Sequence, residues 1–324
     1  MASGFDRGGV FVDAFAYSLG TCRTAVEESE SAGRLISSSA DLRYAGFEWH
    51  HRSADGTDSY DLARAAVTQI RDRGELGGVD AIVYANCLPL NANIGAAADW
   101  ERTRDVKYLM DFPASRLQSD FGLDEAIVIG LGQQACTSML GSVRLAAALL
   151  GAEPEWDRVL CVSADRFPAG ACYEQAYNLI SDGAAACVVG RAARGFRYIG
   201  THQITNGGLA TADDDETVGT FFGYTSRLVT EALGRAGLEA ADLDWVVTQN
   251  TNERAWRILS RVLGIEPERV WAPSIGEVGH VISADNIINL SALIDSGKIS
   301  PGEKVALVMA GFGLNWQCLI LEAL

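Results

Sequence analysis

The chain has 324 residues, 48% of them hydrophobic and 21% charged. That apolar content excludes a disordered chain, and the lack of any short period excludes a collagen-like or coiled-coil rod, leaving one large core or two fused ones. The 26 basic against 42 acidic residues give a formal charge of −16, which makes nucleic acid and anionic membrane poor partners, since both need positive surface.

The opening MASGFDRGGVF has neither a basic start nor an apolar run and does not read as a signal peptide. No stretch of about 18 uncharged apolar residues follows it; the longest candidate, Val143 to Gly151, is interrupted by Arg144. A cytoplasmic protein with no membrane partner is expected. His50 and His51, adjacent in FEWHHRSADG, read as surface residues of a charged loop.

Next, DLARAAVTQIRDRG predicts a helix, and VDAIVYAN (Val79 to Asn86) a buried strand. The same order returns later as TSRLVTEALGRAG and LDWVVTQN (Leu243 to Asn250). Both strands carry an early Asp and end on Asn. A second pair, Ala135 to Asp165 and Gly279 to Gly311, also matches: small-residue turn, apolar helix, Gly/Pro loop, β-branched strand. These repeats predict an α/β fold of two homologous halves, residues 1–190 and 191–324, with mixed sheets around buried central helices. Between the repeats, His202 lies in the strand-like GTHQITNGG and is read as lid or core. The run Asp213 to Glu216 reads as a solvated loop, and with no His or Cys beside it no metal site is expected.

Seven cysteines, an odd number with no C-x-x-C, argue against a zinc site and a secreted disulfide framework. Cys161 and Cys187 sit in apolar strands, where a thiol is an inert small hydrophobe. Cys136 is different. It stands in GLGQQACTSMLGS, at the strand-to-helix turn that opens an almost wholly apolar helix, MLGSVRLAAALL. A helix apolar all round belongs in a core. Its partner in the second half, NIINLSALI, follows His280. Two such helices are expected to pack on each other with their N-termini facing one cleft, where the helix dipole lowers a thiol pKa. Cys136 is therefore the candidate nucleophile and His280, at the matching place, the candidate base. Asp285 follows His280 by five residues, roughly 140° round a helix, so no direct contact between them is expected.

At these residues the chain resembles the thiolase superfamily, and within it the ketoacyl-ACP synthase III branch. FPASRLQSDFGL (Phe112 to Leu123) is similar to the segment preceding that family's nucleophile. Cys136 matches the nucleophile itself, ISDGAAACVVG the F-G-D-G-A-G-A motif, and ISPGEKVALVMAGFGLNW the Gly-rich loop before Trp. The resemblance runs from roughly Phe5 onward and implies a thiolase-like fold and a homodimer.

Two departures stand out. Where the branch carries H-Q-A-N, this chain has Gln249-Asn250-Thr251-Asn252; where it carries G-N-T, this chain has Gly279-His280-Val281. The second arrangement resembles the G-H-P of thiolases. Decarboxylative condensation relies on His and Asn as donors to an enolate, so the altered pair directs the expectation toward acyl transfer. The resemblance then implies acylation of Cys136 from an acyl-carrier-protein or CoA thioester, with pantetheine as substrate and no metal or redox cofactor. His280 would pass the acyl group to a hydroxyl, an amine or a second carrier thiol, as in acyltransferases of natural-product (antibiotic) biosynthesis. Backbone N–H groups of Cys136 and Gly313 would form the oxyanion hole. Gln249, Asn250 or Asn252 would orient His280 or the acceptor. Arg254, at the family's carrier-docking place, would dock a carrier protein together with Arg257 and Arg261 on the same helix face. Leu88, Leu90, Asn91, Asn93, Phe221, Phe222 and Tyr224 are pocket candidates by analogy. Two alternatives stay open: a C–C-condensing chain-priming enzyme, and a non-catalytic partner subunit.

Overall fold

The computed structural model describes residues 9–92, 97–312 and 314–324. The first half contributes strands β1 (Phe11–Leu19), β2 (Cys22–Ala25), β3 (Trp49–Arg52), β4 (Ala81–Ala85), β5 (Ile127–Leu131) and β6 (Arg158–Asp165). A short hairpin, β7 (Glu174–Gln175) and β8 (Asn178–Leu179), precedes β9 (Gly183–Gly190). Its helices are α1 (Val26–Ser31), α2 (Ser39–Ala45), α3 (Ser59–Asp72), α4 (Ala97–Thr103), α5 (Pro113–Asp120) and α6 (Ser138–Ala152). The second half contributes β10 (Phe196–Thr205), β11 (Trp245–Thr248), β12 (Val270–Trp271), β13 (Lys304–Gly311) and β14 (Asn315–Ala323). With them come α7 (Asp214–Ala236), α8 (Glu253–Leu263), α9 (Ile275–Val278) and α10 (Asp285–Asp295).

Ten strands form one mixed sheet in the order β12-β11-β13-β14-β10-β1-β9-β6-β4-β5. From the middle outward it reads the same on both sides. β1, β9, β6, β4 and β5 stand opposite β10, β14, β13, β11 and β12, with the same sequence of antiparallel and parallel pairings. β1 and β10 meet at only two pairs, Phe11 with Arg197 and Val12 with Phe196. The Asp that opens each repeated strand motif has a mechanical role. Asp80 accepts the backbone N–H of Asp157 and Arg158, and Asp244 that of Lys304, each pinning the start of the neighbouring parallel strand.

The central helices lie where the sequence predicts. α6 and α10 share one apolar core with strands of both halves, including Met139, Leu140, Val143, Ile287, Leu290 and Leu293. The stretch Ala135–Ala152 is apolar and long enough by composition to cross a membrane, but it is packed inside this core. The start of α6, β6 and the turn before α10 are tied by a buried hydroxyl chain, Ser138 to Ser163 at 3.2 Å and Ser163 to Ser283 at 2.5 Å. α3 covers the outer face of β4, β6 and β9. α7 and α8 cover β11, β13 and β14.

Two sequence expectations are corrected here. His50 is not a surface residue: on β3 it is fully buried, donating from Nδ1 to the Ile180 carbonyl at 2.9 Å and accepting from the Ser29 hydroxyl at 2.7 Å. Burial lowers its pKa to about 4, so it is a neutral structural histidine. His51 is half-buried and bonds the Gly20 carbonyl at 3.0 Å. The acidic run is not a loop either. Asp213 caps α7 by accepting the Glu216 N–H, and Asp214 to Glu216 form the first turn, where negative charge complements the helix dipole. His202 is nearly buried and bonds Glu231 of α7 at 2.7 Å, away from the cleft.

Candidate active site

The turn that carries Cys136 is strained. Gln133 and Ala135, flanking residues without the freedom of glycine, hold φ at 63° and 47°, a conformation costing about 1–3 kcal/mol each. The strain points the short 3-10 turn Ala135–Thr137 into the cleft at the head of α6. Gly311, at the end of β13, packs directly on this turn: a Cβ there would lie 2.8 Å from the Cys136 backbone N and 3.1 Å from the Ala135 Cβ.

His280 is held from both sides. Its N–H donates to the Leu179 carbonyl at 2.7 Å, and its own carbonyl accepts from Ser181 at 2.9 Å, a parallel bridge beside β8. Gly279 before it has φ 64° and ψ −161°, a region open in practice to glycine alone, and a Cβ there would lie 2.8 Å from the Leu179 oxygen. After His280 the chain does not continue as a helix. A 3-10 turn, Ile282–Ala284, with Ile282 at φ 51°, folds back before α10 starts at Asp285.

That turn overturns the expectation for Asp285. Its carboxylate accepts His280 Nδ1–H at 2.5 Å, the Val281 N–H at 2.6 Å and the Asn250 N–H at 2.7 Å. The residue is fully buried. With Nδ1 committed to Asp285, Nε2 is the nitrogen left for Cys136, which lines the same cavity. Burial pulls the imidazole pKa down, but the Asp285 carboxylate and the Cys136 thiolate outweigh it and raise it to about 10. The thiol moves the other way. The Cys87 S–H, then His280, then the Phe312 N–H hold Cys136 well below the ordinary thiol range despite burial. Both shifts favour a thiolate beside an imidazolium.

Cys136, His280 and Gln249 line one cavity of about 290 Å³, walled by Phe221 and Phe222 and reached past Asn252 and Arg254. Gln249 takes the Ala310 N–H on its Oε1, which leaves its amide NH2 for the cavity it lines. Asn250 stands behind the cavity, fully buried. It donates to Ser274 Oγ and the Gly279 carbonyl, both at 2.8 Å, and accepts from Asn289. It positions the Gly279–His280 segment and, through its own N–H, Asp285. Asn252 caps α8 by accepting the Arg254 N–H at 3.0 Å.

The three arginines are exposed along α8 but border different hollows. Arg254 lies at the catalytic cavity, its guanidinium 3.2 Å above the Tyr44 ring, whereas Arg257 and Arg261 border a separate hollow with Trp256 and Trp271. Arg257 also pairs with Glu253 at 3.0 Å. Among the described pocket candidates, Phe221 and Phe222 alone line the catalytic cavity. Tyr224 instead stacks on Trp316 at 4.2 Å, Asn91 is buried and donates to Asp165, and Leu90 is exposed. Gly313 and Asn93 lie outside the described residues.

The sequence reading missed three groups besides Asp285. Cys87 sits with its Sγ 3.9 Å from Cys136 Sγ. Asp165, at the end of β6, accepts from Cys87 N, Leu88 N and Asn91 Nδ2, and burial raises its pKa to about 7. Tyr177, on the β7–β8 turn at the cavity rim, donates to Asp215 at 2.7 Å. The available signal was position: Cys87 and Asp165 follow or end parallel strands, at the end of a sheet where sites gather.

Comparison with known proteins agrees with this architecture. A family model described as 3-oxoacyl-[acyl-carrier-protein] synthase III matches residues 132–207, and its C-terminal counterpart matches 233–323, together just over half of the chain. A beta-ketoacyl-[acyl-carrier-protein] synthase III of Dinoroseobacter shibae is 26% identical over 307 residues, covering 86% of this chain and 88% of that one. Among solved structures, the 3-oxoacyl-(acyl carrier protein) synthase III of Pseudomonas aeruginosa superposes with a TM-score of 0.80 at 23% identity, covering 97% and 98% of the two chains. A protein described as ChlB3, an acyltransferase, gives 0.80 at 18% identity with 98% of each chain covered.

Proposed function

The chain belongs to the ketoacyl-[acyl-carrier-protein] synthase III family of thiolase-like enzymes, and from that premise we propose that it works as an acyltransferase rather than a condensing enzyme. Cys136 thiolate attacks the carbonyl of an acyl-carrier-protein or CoA thioester, and the pantetheine thiol leaves with the proton of His280. The acyl-Cys136 then meets a hydroxyl, amine or second carrier thiol. His280 Nε2 takes the acceptor's proton as the new bond forms and the Cys136 sulfur departs. Backbone N–H groups at the head of α6 are the proposed donors to the oxyanion, with Gly313 as the second contributor.

The observation that carries this reading is the Asp285 carboxylate behind His280, 2.5 Å from Nδ1. A carboxylate there stabilises the imidazolium that forms when a neutral acceptor is deprotonated. Decarboxylation generates its enolate by losing carbon dioxide, without removing a proton from an acceptor, and makes no such demand on a base. The Gln249 amide beside His280 favours condensation as the second reading. Intact-mass measurement after incubation with acyl-carrier and acyl-CoA donors tests the first step. Carbon dioxide release from a malonyl thioester, with a β-ketoacyl product, would overturn transfer in favour of condensation.

The proposed donor dock is the exposed face of α8, where Arg254, Arg257 and Arg261 alternate with exposed Ile258 and Val262. Basic and apolar residues together suit an acidic carrier helix, a local exception on a chain of charge −16. The proposed assembly is a homodimer through β5, the sheet's edge strand, whose Ile127 and Val128 are 49% and 38% exposed. The proposed setting is a cytoplasmic secondary-metabolite pathway.

A further inference from the structure

Two thiols form the wall between two cavities. Cys136 lines the catalytic cavity, and Cys87 lines a second one of about 320 Å³ bounded by Phe112, Leu131 and Gln133. Their sulfurs are 3.9 Å apart, which is atomic contact. A disulfide requires closure from there to a bonded distance of about 2.05 Å. Cys87 belongs to the segment just past β4, where its backbone N–H is fixed to both oxygens of Asp165 at 3.1 and 3.0 Å. Nothing in the transfer scheme calls for a second thiol at this place.

We propose that Cys87 is a resolving cysteine, which forms a reversible disulfide with Cys136 after peroxide has oxidised the nucleophile, so that transfer stops and Cys136 escapes irreversible damage. The inference rests on Cys136 being the reactive thiolate of the transfer reading. In the first step the Cys136 thiolate attacks hydrogen peroxide. The O–O bond breaks, an S–O bond forms, the sulfur loses two electrons, and the departing hydroxide becomes water with the His280 proton. In the second step the Cys87 sulfur attacks the sulfenic sulfur. The S–S bond forms, the S–O bond breaks, and hydroxide leaves as water with the Cys87 thiol proton. The sum is two thiols and one peroxide giving one disulfide and two waters.

The chemistry of the pair agrees in direction. Peroxide reacts with thiolates, and Cys136 is the thiol held low, while its hydrogen bond to Cys136 and its burial hold Cys87 high. The low-pKa partner is oxidised first and the neutral one resolves it, as in redox-sensing pairs. Cys161 and Cys187 also face each other, across β6 and β9, but both are fully buried in the sheet.

The test treats the full-length reduced protein with hydrogen peroxide and maps its peptides without reductant. The expected product has lost two hydrogens and contains a Cys87–Cys136 cross-link, and dithiothreitol restores the starting activity. In Cys87→Ser the same treatment should carry Cys136 on to the sulfinic acid, with recovery by dithiothreitol lower by several-fold. Cys136 over-oxidised in the wild type while Cys87 stays a free thiol would overturn the proposal, as would equal recovery in both proteins. Acyl-enzyme formation by the untreated protein, measured in parallel by mass, reports separately on the transfer reading.

Discussion

His280 and Asp285, five positions apart in the chain, are joined by a 2.5 Å hydrogen bond. The contact exists because the 3-10 turn Ile282–Ala284 reverses the chain and presents the first residue of α10 to the imidazole. The same carboxylate takes the N–H groups of Val281 and Asn250, so it fixes the ring and both segments around it.

Asp285→Asn keeps the shape of this contact and removes its charge. The imidazolium loses its counter-ion, so proton removal from an acceptor should slow by about 10²–10⁴-fold, the range of a positioned acid–base group. The measurement is single-turnover transfer from preformed acyl-Cys136. A variant transferring at the wild-type rate would remove Asp285 from the mechanism.

The ion pair predicts an unusual pH profile for Cys136. Hydrogen bonding from Cys87 and the charge of His280 hold the thiol low, and His280 keeps its proton up to about pH 10. The sulfur is favoured as a thiolate while His280 keeps its proton, so its rate of alkylation by iodoacetamide should not rise through the range around pH ~8.5 where an ordinary thiol titrates. Replacing His280 by Ala removes a cation. The Cys136 pKa then rises, the thiolate fraction at neutral pH falls, and alkylation should show a sigmoid rise with pH. An unchanged flat profile in that variant would mean that other groups hold the thiolate.

The repeated strands were readable because their Asp residues have one job in both halves, clamping a neighbouring strand. Cys136 and His280 were readable because each precedes an apolar helix too greasy for any surface. Asp285 was not, since the angular argument assumed a helix running on from His280, and local propensity gives no warning of a β-branched residue at φ 51°. Cys87 reaches Cys136 only once β4 and α6 pack together, a contact 49 residues apart in sequence. His50 reads as exposed beside charged neighbours, yet the β2–β3 ribbon presses it between Ser29 and Ile180.

Gly311→Ala probes the nucleophile's backbone without touching its thiol. The added methyl would sit 2.8 Å from the Cys136 N, and no flexible side chain is there to yield. The turn must shift, and shifts of about 1 Å cost on the order of 10²-fold in rate. The expected outcome is a folded protein by circular dichroism with acylation slowed by about that factor. Full acylation rate with unchanged stability would show that the turn tolerates displacement.

Charge reversal at Arg254 separates docking from chemistry. Its guanidinium stacks on Tyr44 at the cavity rim, beside exposed Ile258, and touches neither Asp285 nor the hydrogen bonds that hold Cys136 and His280. An acidic carrier protein loses an attractive contact and gains a repulsive one in Arg254→Glu. Acylation from a carrier-bound donor should therefore fall by about tenfold or more, with ~1.4 kcal/mol for each factor of ten. The loss should shrink as salt screens the charges. A short acyl-pantetheine donor, which has no protein surface to dock, should be affected far less. Equal losses for both donors would place Arg254 in the cavity's chemistry and take carrier docking away from this face of α8.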